Sequence, residues 1–464
     1  MEQQVKHYCG IFGIYGTPEA AAQTALGLHA LQHRGEESCG IASGDGKRVH
    51  VHTGMGQVAD VFSKTEAIDN LPGNLAIGHN RYSTTGSDNI VNAQPFVAEC
   101  RDGSVAIAHN GNLTNTAQLR KAMQNTGSIF QTTTDSELIL HLIARSPEQH
   151  IADRTIDALR QIEGAYSLVF ATESRLMAAR DPHGFRPLCL GQLGDSWVIA
   201  SESCALDIIS ARYIRDIEPG ELLIIDANGL RTYTFAEVER NAFCIFEYIY
   251  FSRPDSLIFG DNVDKTRRRL GKQLALEHPA NADIVIPVPD SSNTAAMGYA
   301  VETGLKLEIG LIRNHYVGRT FITPGQDNRG AKVRLKFNPV RGVINGKRVV
   351  IVEDSIVRGT TLRHLVRTIR EAGARQVHVR ISCPPIVSPC FYGIDFQSTD
   401  ELIAGEKTVD EIREHLGVDS LGYLSLEGML AVSPNAGRQY CTACFNRNYP
   451  ITIESEVDKL ILER

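Results

Sequence analysis

The chain is 464 residues long, with 47 Lys and Arg against 54 Asp and Glu, a formal net charge of -7, and an apolar share of 42%. That length exceeds what one hydrophobic core normally serves, so at least two domains are expected. The acidic balance lacks the basic excess of a nucleic-acid partner, and no stretch approaches a signal peptide or a membrane span, so a cytoplasmic protein is expected.

Ten cysteines are scattered without secretory spacing, which favours thiols with metal or catalytic work over a disulfide scaffold. From Cys9 to about Phe235 the pattern predicts short strands with a few helices, for example strands at 75–79, 105–109 and 167–170. A turn signal, Thr53-Gly54-Met55-Gly56, is expected to separate two of the strands.

Cys9 precedes the apolar run Gly10-Ile11-Phe12-Gly13, and three polar clusters follow at predicted strand ends. They are His79-Asn80-Arg81-Tyr82-Ser83-Thr84, His109-Asn110-Gly111-Asn112-Leu113 and Thr133-Thr134-Asp135-Ser136-Glu137. Loops at such places commonly carry catalytic groups. Any one cluster is weak, since a lone cysteine before a strand is usually a small buried apolar residue and two charges are usually a surface pair.

Together and in this order they resemble the class II glutamine amidotransferase domain of the N-terminal nucleophile hydrolases, an αββα fold. The resemblance implies that residues 1–8 are a propeptide whose removal leaves Cys9 with a free α-amino group. Such an amine can serve as the base for its own thiol. It further implies Cys9 as the nucleophile on the side-chain amide of glutamine, with Asn110 and the Gly111 N–H as the oxyanion hole. Arg81 and Asp135 would hold the α-carboxylate and α-amino group of glutamine.

Beyond about residue 240 apolar strands alternate with helices, at 284–288, 348–352 and 377–381, which predicts a parallel sheet. Leu362, Leu365, Val366 and Ile369 form a helical stripe that Gly373 closes. The run from Val349 to Thr361 carries Glu353 and Asp354 at a strand end and then Ser355, Arg358, Gly359, Thr360 and Thr361 in a loop opening that helix. Backbone N–H groups of such a loop suit a phosphate, and paired carboxylates suit ribose hydroxyls and a magnesium ion.

This run resembles the signature of type I phosphoribosyltransferases, which bind phosphoribosyl pyrophosphate; many relatives have two aspartates where this chain has Glu353 first. The resemblance implies Ser291, in Pro287-Val288-Pro289-Asp290-Ser291-Ser292, as a ligand beside the metal. It also implies that the basic segment 316–336 is a flexible loop closing over the pyrophosphate. The cluster Lys265-Thr266-Arg267-Arg268-Arg269 reads as a solvated helix face, with nucleotide binding as the lesser alternative.

Cys441 and Cys444 form a CxxC pair, open to redox, zinc or incidental readings. Joined in order, and including the run from Ala179 to Leu188, the two halves resemble the glutamine phosphoribosylpyrophosphate amidotransferase family in its propeptide and cluster-bearing subtype. That resemblance adds Cys244 and Cys390 to the pair as four ligands of a 4Fe-4S cluster, although four thiolates alone also suit zinc. Cys39, Cys100, Cys189, Cys204 and Cys383 are left as buried thiols.

The implied organisation is a propeptide (1–8), a glutaminase domain (9–240) and a phosphoribosyltransferase domain with the cluster (241–464). The implied reaction passes ammonia from glutamine through an internal channel to phosphoribosyl pyrophosphate in the first step of purine synthesis. A homotetramer with purine-nucleotide feedback and one magnesium and one cluster per subunit is expected from the family. The rivals are a sugar-phosphate aminating synthase, which the Glu353 to Thr361 run argues against, and a non-catalytic nucleotide-binding regulator, which leaves Cys9, Arg81, Asn110 and Asp135 unexplained.

Overall fold

A computed structural model describes residues 9–82, 89–101, 103–237, 240–314, 337–396 and 398–453. The expected propeptide, Ser83, Thr84 and the expected loop at 316–336 lie outside the described residues. In the first half thirteen described strands form two antiparallel sheets. They are β1 (Gly10–Tyr15), β2 (Ser38–Gly44), β3 (Val49–Met55), β4 (Leu75–Arg81), β5 (Phe96–Cys100), β6 (Gly103–Leu113), β7 (Gly164–Ala171), β8 (Leu176–Arg180), β9 (Cys189–Leu193), β10 (Ser196–Ala200), β11 (Arg212–Asp216), β12 (Glu221–Asp226) and β13 (Gly229–Thr234). One sheet runs β11-β9-β10-β1-β4-β2-β3 and the other β13-β12-β8-β7-β6-β5.

The strand residues explain the layering. Along β1, Ile11 points into a core shared with Ala106, Val169 and Leu223 of the other sheet. Its neighbours Phe12 and Ile14 point the opposite way, onto Leu28 of helix α1 (Ala20–Ala30). Period-two alternation with both faces apolar is what a strand between two layers requires. Gly27 of α1 is needed for that approach, because a Cβ there would stand 2.4 Å from the Phe12 ring. On the far side α2 (Thr116–Asn125), α3 (Ser136–Arg145) and α4 (Ile151–Leu159) cover the second sheet through Met123, Leu138, Ile139, Leu142 and Leu159. The result is the expected αββα stack.

The expected turn at 53–56 is corrected in part. Thr53, Gly54 and Met55 belong to β3, paired with Gly40, Cys39 and Ser38, and Gly56 alone, with φ +108°, turns the chain. Gly54 has a packing reason, since a Cβ there would come within 3 Å of Val61.

In the second half β14 (Phe243–Cys244) precedes a five-stranded sheet of β15 (Ile284–Pro287), β16 (Lys306–Leu307), β17 (Arg348–Glu353), β18 (Gln376–Ile381) and β19 (Ser420–Tyr423). The order is β16-β15-β17-β18-β19 and every pair is parallel. Helices α5 (Val263–Glu277), α6 (Asn293–Thr303) and α7 (Thr360–Glu371) accompany it, and β20 (Tyr440–Cys441) returns to pair with β14. The Leu362, Leu365, Val366 and Ile369 stripe of α7 is buried as its spacing predicts. Among the described residues no helix is long and apolar enough to cross a membrane.

The reading of residues 265–269 as a solvated face is overturned for Thr266 and Arg267, which are buried. Val263, Arg267, Leu270 and Leu274 follow i, i+4, i+7, i+11, so Arg267 falls on the inward stripe of α5. Its guanidinium donates to the Tyr248 and Ser252 carbonyls at 2.6 and 2.8 Å. Arg268 and Arg269 stay nearer the surface, paired with Asp264 and Asp261.

Candidate active sites

Cys9 stands immediately before β1, buried, with its thiol 3.4 Å from the Tyr82 carbonyl. The β1–β4 register sets Gly10 opposite Asn80, which brings Cys9 beside Arg81 at the end of β4. From the other sheet, β6 delivers His109, Asn110 and Gly111. His79 ties the two sheets together, its Nε2 lying 3.0 Å from the His109 carbonyl. Burial pushes the His79 imidazole down to about 3, so it is neutral.

Asn110 is fully buried, and among the described residues neither atom of its side-chain amide has a hydrogen-bond partner. Such a group is costly unless something arrives to satisfy it. Gly111 cannot carry a side chain, because a Cβ would lie 1.9 Å from the Ala165 carbonyl oxygen. Asp135 immediately precedes α3, with one carboxylate oxygen accepting from Leu113 N–H at 3.0 Å and the other 3.3 Å from both His109 Nδ1 and Ser136 Oγ. Burial alone would raise the Asp135 carboxyl, but His109 and these hydrogen bonds hold it below its ordinary value. Arg81 lies 3.8 Å from Glu37. The Cys9 thiol is pushed up to about 11 by burial, so it needs a base at hand to react near neutral pH.

The second site sits at the carboxyl end of the parallel sheet. Glu353 ends β17, and Asp354 accepts hydrogen bonds from Ser291 at 2.5 Å and Ser355 at 2.6 Å, while Ser292 donates to Glu353 at 3.1 Å. Burial pushes both carboxyls above their ordinary values, and for Glu353 the neighbouring Asp354 charge adds to it. Two crowded carboxylates fronted by a serine hydroxyl are a donor set for a hard divalent cation such as magnesium.

Gly359, at φ +73°, turns the chain into α7, with Thr360 and Thr361 at the helix start. A cavity of about 700 Å³ lies over these groups, walled by residues 353–361, Ser291 and Arg267. Arg358 lines it too, with its guanidinium on the Glu401 carboxylate. His33 and Glu36 of the first half complete the wall.

Parallel pairing of β14 with β20 sets Cys244 opposite Cys441. Cys444 follows on a short helix, Cys390 comes from a loop, and all four line one small apolar pocket with Phe185 and Tyr392. Among the described residues no three or more His, Cys, Asp or Glu side chains are grouped so as to hold one metal ion. Of the remaining thiols, Cys39, Cys189, Cys204 and Cys383 are buried, but Cys100 is half-buried because its edge strand β5 has one open side.

Sequence reasoning missed the groups that join these sites. Arg34 Nε donates to the Cys9 carbonyl at 3.1 Å, and its other nitrogens reach Glu202 and, at 2.7 and 3.1 Å, Glu247. His109 and His79 stood inside quoted clusters without a role. Their role depends on which strands face each other, and no local spacing encodes that.

The family model described as "Glutamine amidotransferase domain" matches residues 79–207, a span holding Arg81, Asn110, Gly111 and Asp135. Similar curated proteins include "Amidophosphoribosyltransferase 2, chloroplastic" of Arabidopsis thaliana, 50% identical over 97% of this chain and 80% of that protein. "Amidophosphoribosyltransferase" of Bacillus subtilis is 49% identical over 96% of this chain and 94% of that one. Among solved structures, "Structure of the allosteric regulatory enzyme of purine biosynthesis" is 49% identical with TM-score 0.93, covering 97% and 98% of the two chains. The B. subtilis glutamine phosphoribosylpyrophosphate amidotransferase complexed with ADP and GMP is 48% identical with TM-score 0.92, covering 97% and 99%.

Proposed function

The chain belongs to the amidophosphoribosyltransferase family, and from that premise we propose how its residues carry out the two half-reactions. The enzyme is a pentosyltransferase that takes ammonia from glutamine and places it on C1 of phosphoribosyl pyrophosphate, giving 5-phosphoribosylamine, glutamate and pyrophosphate in purine biosynthesis. In our reading residues 1–8 are removed, and the freed α-amine of Cys9 takes the thiol proton. The thiolate attacks the amide carbon of glutamine, Asn110 Nδ2 and Gly111 N–H receive the oxyanion, and the Cys9 α-ammonium passes its proton to the leaving nitrogen so that ammonia departs as the thioester forms. Water then attacks the thioester, releasing glutamate and restoring Cys9. Arg81 and Asp135 fix the two ends of glutamine that do not react.

In the second site the N–H groups opening α7, with Thr360 and Thr361, hold the 5-phosphate, and Glu353 and Asp354 orient the ribose hydroxyls. Ammonia attacks C1 as the bond to pyrophosphate breaks. Asp354, Glu353 and Ser291 would hold magnesium, which when bound would offset charge on the departing pyrophosphate. The observation that carries the coupling of the two sites is the wall of the phosphoribosyl cavity: His33 and Glu36 flank Arg34, which holds the Cys9 carbonyl. That contact supports internal transfer of ammonia from Cys9 toward the cavity.

The four cysteines would hold a 4Fe-4S cluster, a choice over zinc that rests on the family resemblance. In a cluster each thiolate would bond a different iron, and Cys244, Cys390, Cys441 and Cys444 line one small apolar pocket. A homotetramer under purine-nucleotide feedback, located in the cytoplasm, completes the reading. The feedback is supported by the relative complexed with ADP and GMP, while the tetramer and the location rest on the family resemblance.

The test follows glutamate and pyrophosphate release by anaerobically purified protein, with and without phosphoribosyl pyrophosphate and magnesium. Matched release needing both substrates is expected, with Cys9→Ala losing the glutamine-dependent reaction and keeping the ammonia-dependent one. Glutamine hydrolysis indifferent to the phosphoribosyl donor would overturn the coupling.

A further inference from the structure

The loop that begins at Cys390 leaves the four-cysteine pocket and lands on the glutamine site. It closes on itself, with Cys390 N–H donating to the Phe396 carbonyl at 3.0 Å. Inside that closure, the Phe391 carbonyl accepts from Asn112 Nδ2 at 2.9 Å and the Tyr392 carbonyl from Arg186. Gly393 packs so closely on Gly111 that a Cβ there would lie 3.3 Å from the Gly111 carbonyl carbon. Asp395 accepts the Tyr82 hydroxyl at 2.9 Å, and Tyr82 in turn offers its carbonyl to the Cys9 thiol. One loop of the second half thus touches both strands that carry glutamine ligands: β6 at Gly111 and Asn112, and the exit of β4 after Arg81.

We propose that Asp395 is a positioning residue for the glutamine half-reaction. By anchoring the Tyr82 side chain it fixes the end of β4, and with it the Arg81 guanidinium and the carbonyl facing the Cys9 thiol. A phenol donating to a half-buried carboxylate is a charge-assisted bond with a defined direction, suited to hold a strand end. This inference rests on the assignment of Cys9, Arg81 and Asn110 to glutamine chemistry.

The experiment compares Asp395→Ala, Asp395→Asn, Tyr82→Phe and the Asp395→Ala/Tyr82→Phe pair in glutamine-dependent and ammonia-dependent synthesis of phosphoribosylamine. Asp395→Ala is expected to lower kcat/KM for glutamine about tenfold, mainly through KM, the scale of one lost hydrogen bond to a charged group. Ammonia-dependent turnover stays within about twofold of the parent, since the phosphoribosyl groups are untouched. Asp395→Asn, which still offers an oxygen to the phenol, recovers most of the loss, and the double variant is no worse than Asp395→Ala alone.

Three results would overturn the proposal: unchanged glutamine kinetics in Asp395→Ala, an equal fall with ammonia, or additive losses in the double variant. An inactive parent, or glutamine turnover surviving in Cys9→Ala, would instead overturn the site assignment beneath it.

Discussion

Asn110 is the residue on which the proposed glutamine chemistry can be tested most sharply, because its buried amide has no partner among the described residues. In the proposed role as oxyanion donor its interaction would be made in the transition state and hardly in the ground state. Asn110→Ala is therefore expected to lower glutamine-dependent kcat by about 100-fold or more with little change in KM. Steady-state kinetics with glutamine and with ammonia check this, the ammonia reaction remaining near the parent rate. Arg81 and Asp354 stand where the sequence puts them, at strand ends that close apolar runs, whereas Asn110 lies inside β6, which runs on to Leu113 rather than ending near His109. The role of His79 was not legible in the sequence, because its bond to the His109 carbonyl exists only once β4 faces β6 across the two sheets.

At the scale of elements, α7 is the one that its sequence states outright: strand, two acids, a glycine at positive φ, then a buried stripe at helical spacing. Helix α5 misleads, since its basic run reads as a surface while its periodicity puts Arg267 inside. The charge of a residue says less about burial than its place in the 3.6-residue period, provided polar partners wait within. Here they are the Tyr248 and Ser252 carbonyls, next to the Asp354 carboxyl across the cavity. Arg267→Leu is expected to strip both carbonyls of their donor and cost about 1–3 kcal/mol of stability. It also removes a positive charge that faces Asp354 beside the phosphoribosyl cavity. The apparent thermal midpoint should fall, and KM for phosphoribosyl pyrophosphate should rise more than KM for ammonia.

For the whole molecule, the four-layer first half and the parallel sheet of the second follow from runs of apolar residues, whereas the seam between them does not. Arg34, Glu202 and Glu247 are separated by more than 40 positions at every step, and only the folded chain gathers them. Glu202 is fully buried and takes His33 at 2.8 Å, Ser256 at 2.7 Å, the Arg253 N–H at 2.9 Å and the Arg34 guanidinium. Burial by itself would raise this carboxyl, yet His33, Arg34 and Ser256 hold it well below the ordinary carboxylate range. A carboxyl depressed on folding contributes stability that is fully present above its unfolded value near 4.5 and is lost as pH falls through its lower folded value. Glu202→Gln should therefore lower the apparent thermal midpoint at pH 7, and its deficit against the parent should shrink as the pH is taken below about 4.5. A deficit independent of pH would show that Glu202 holds the seam by shape rather than by charge. Glu202 reaches the second half through the Ser256 hydroxyl and the Arg253 N–H, so that outcome would assign no measurable part of this joining to its charge.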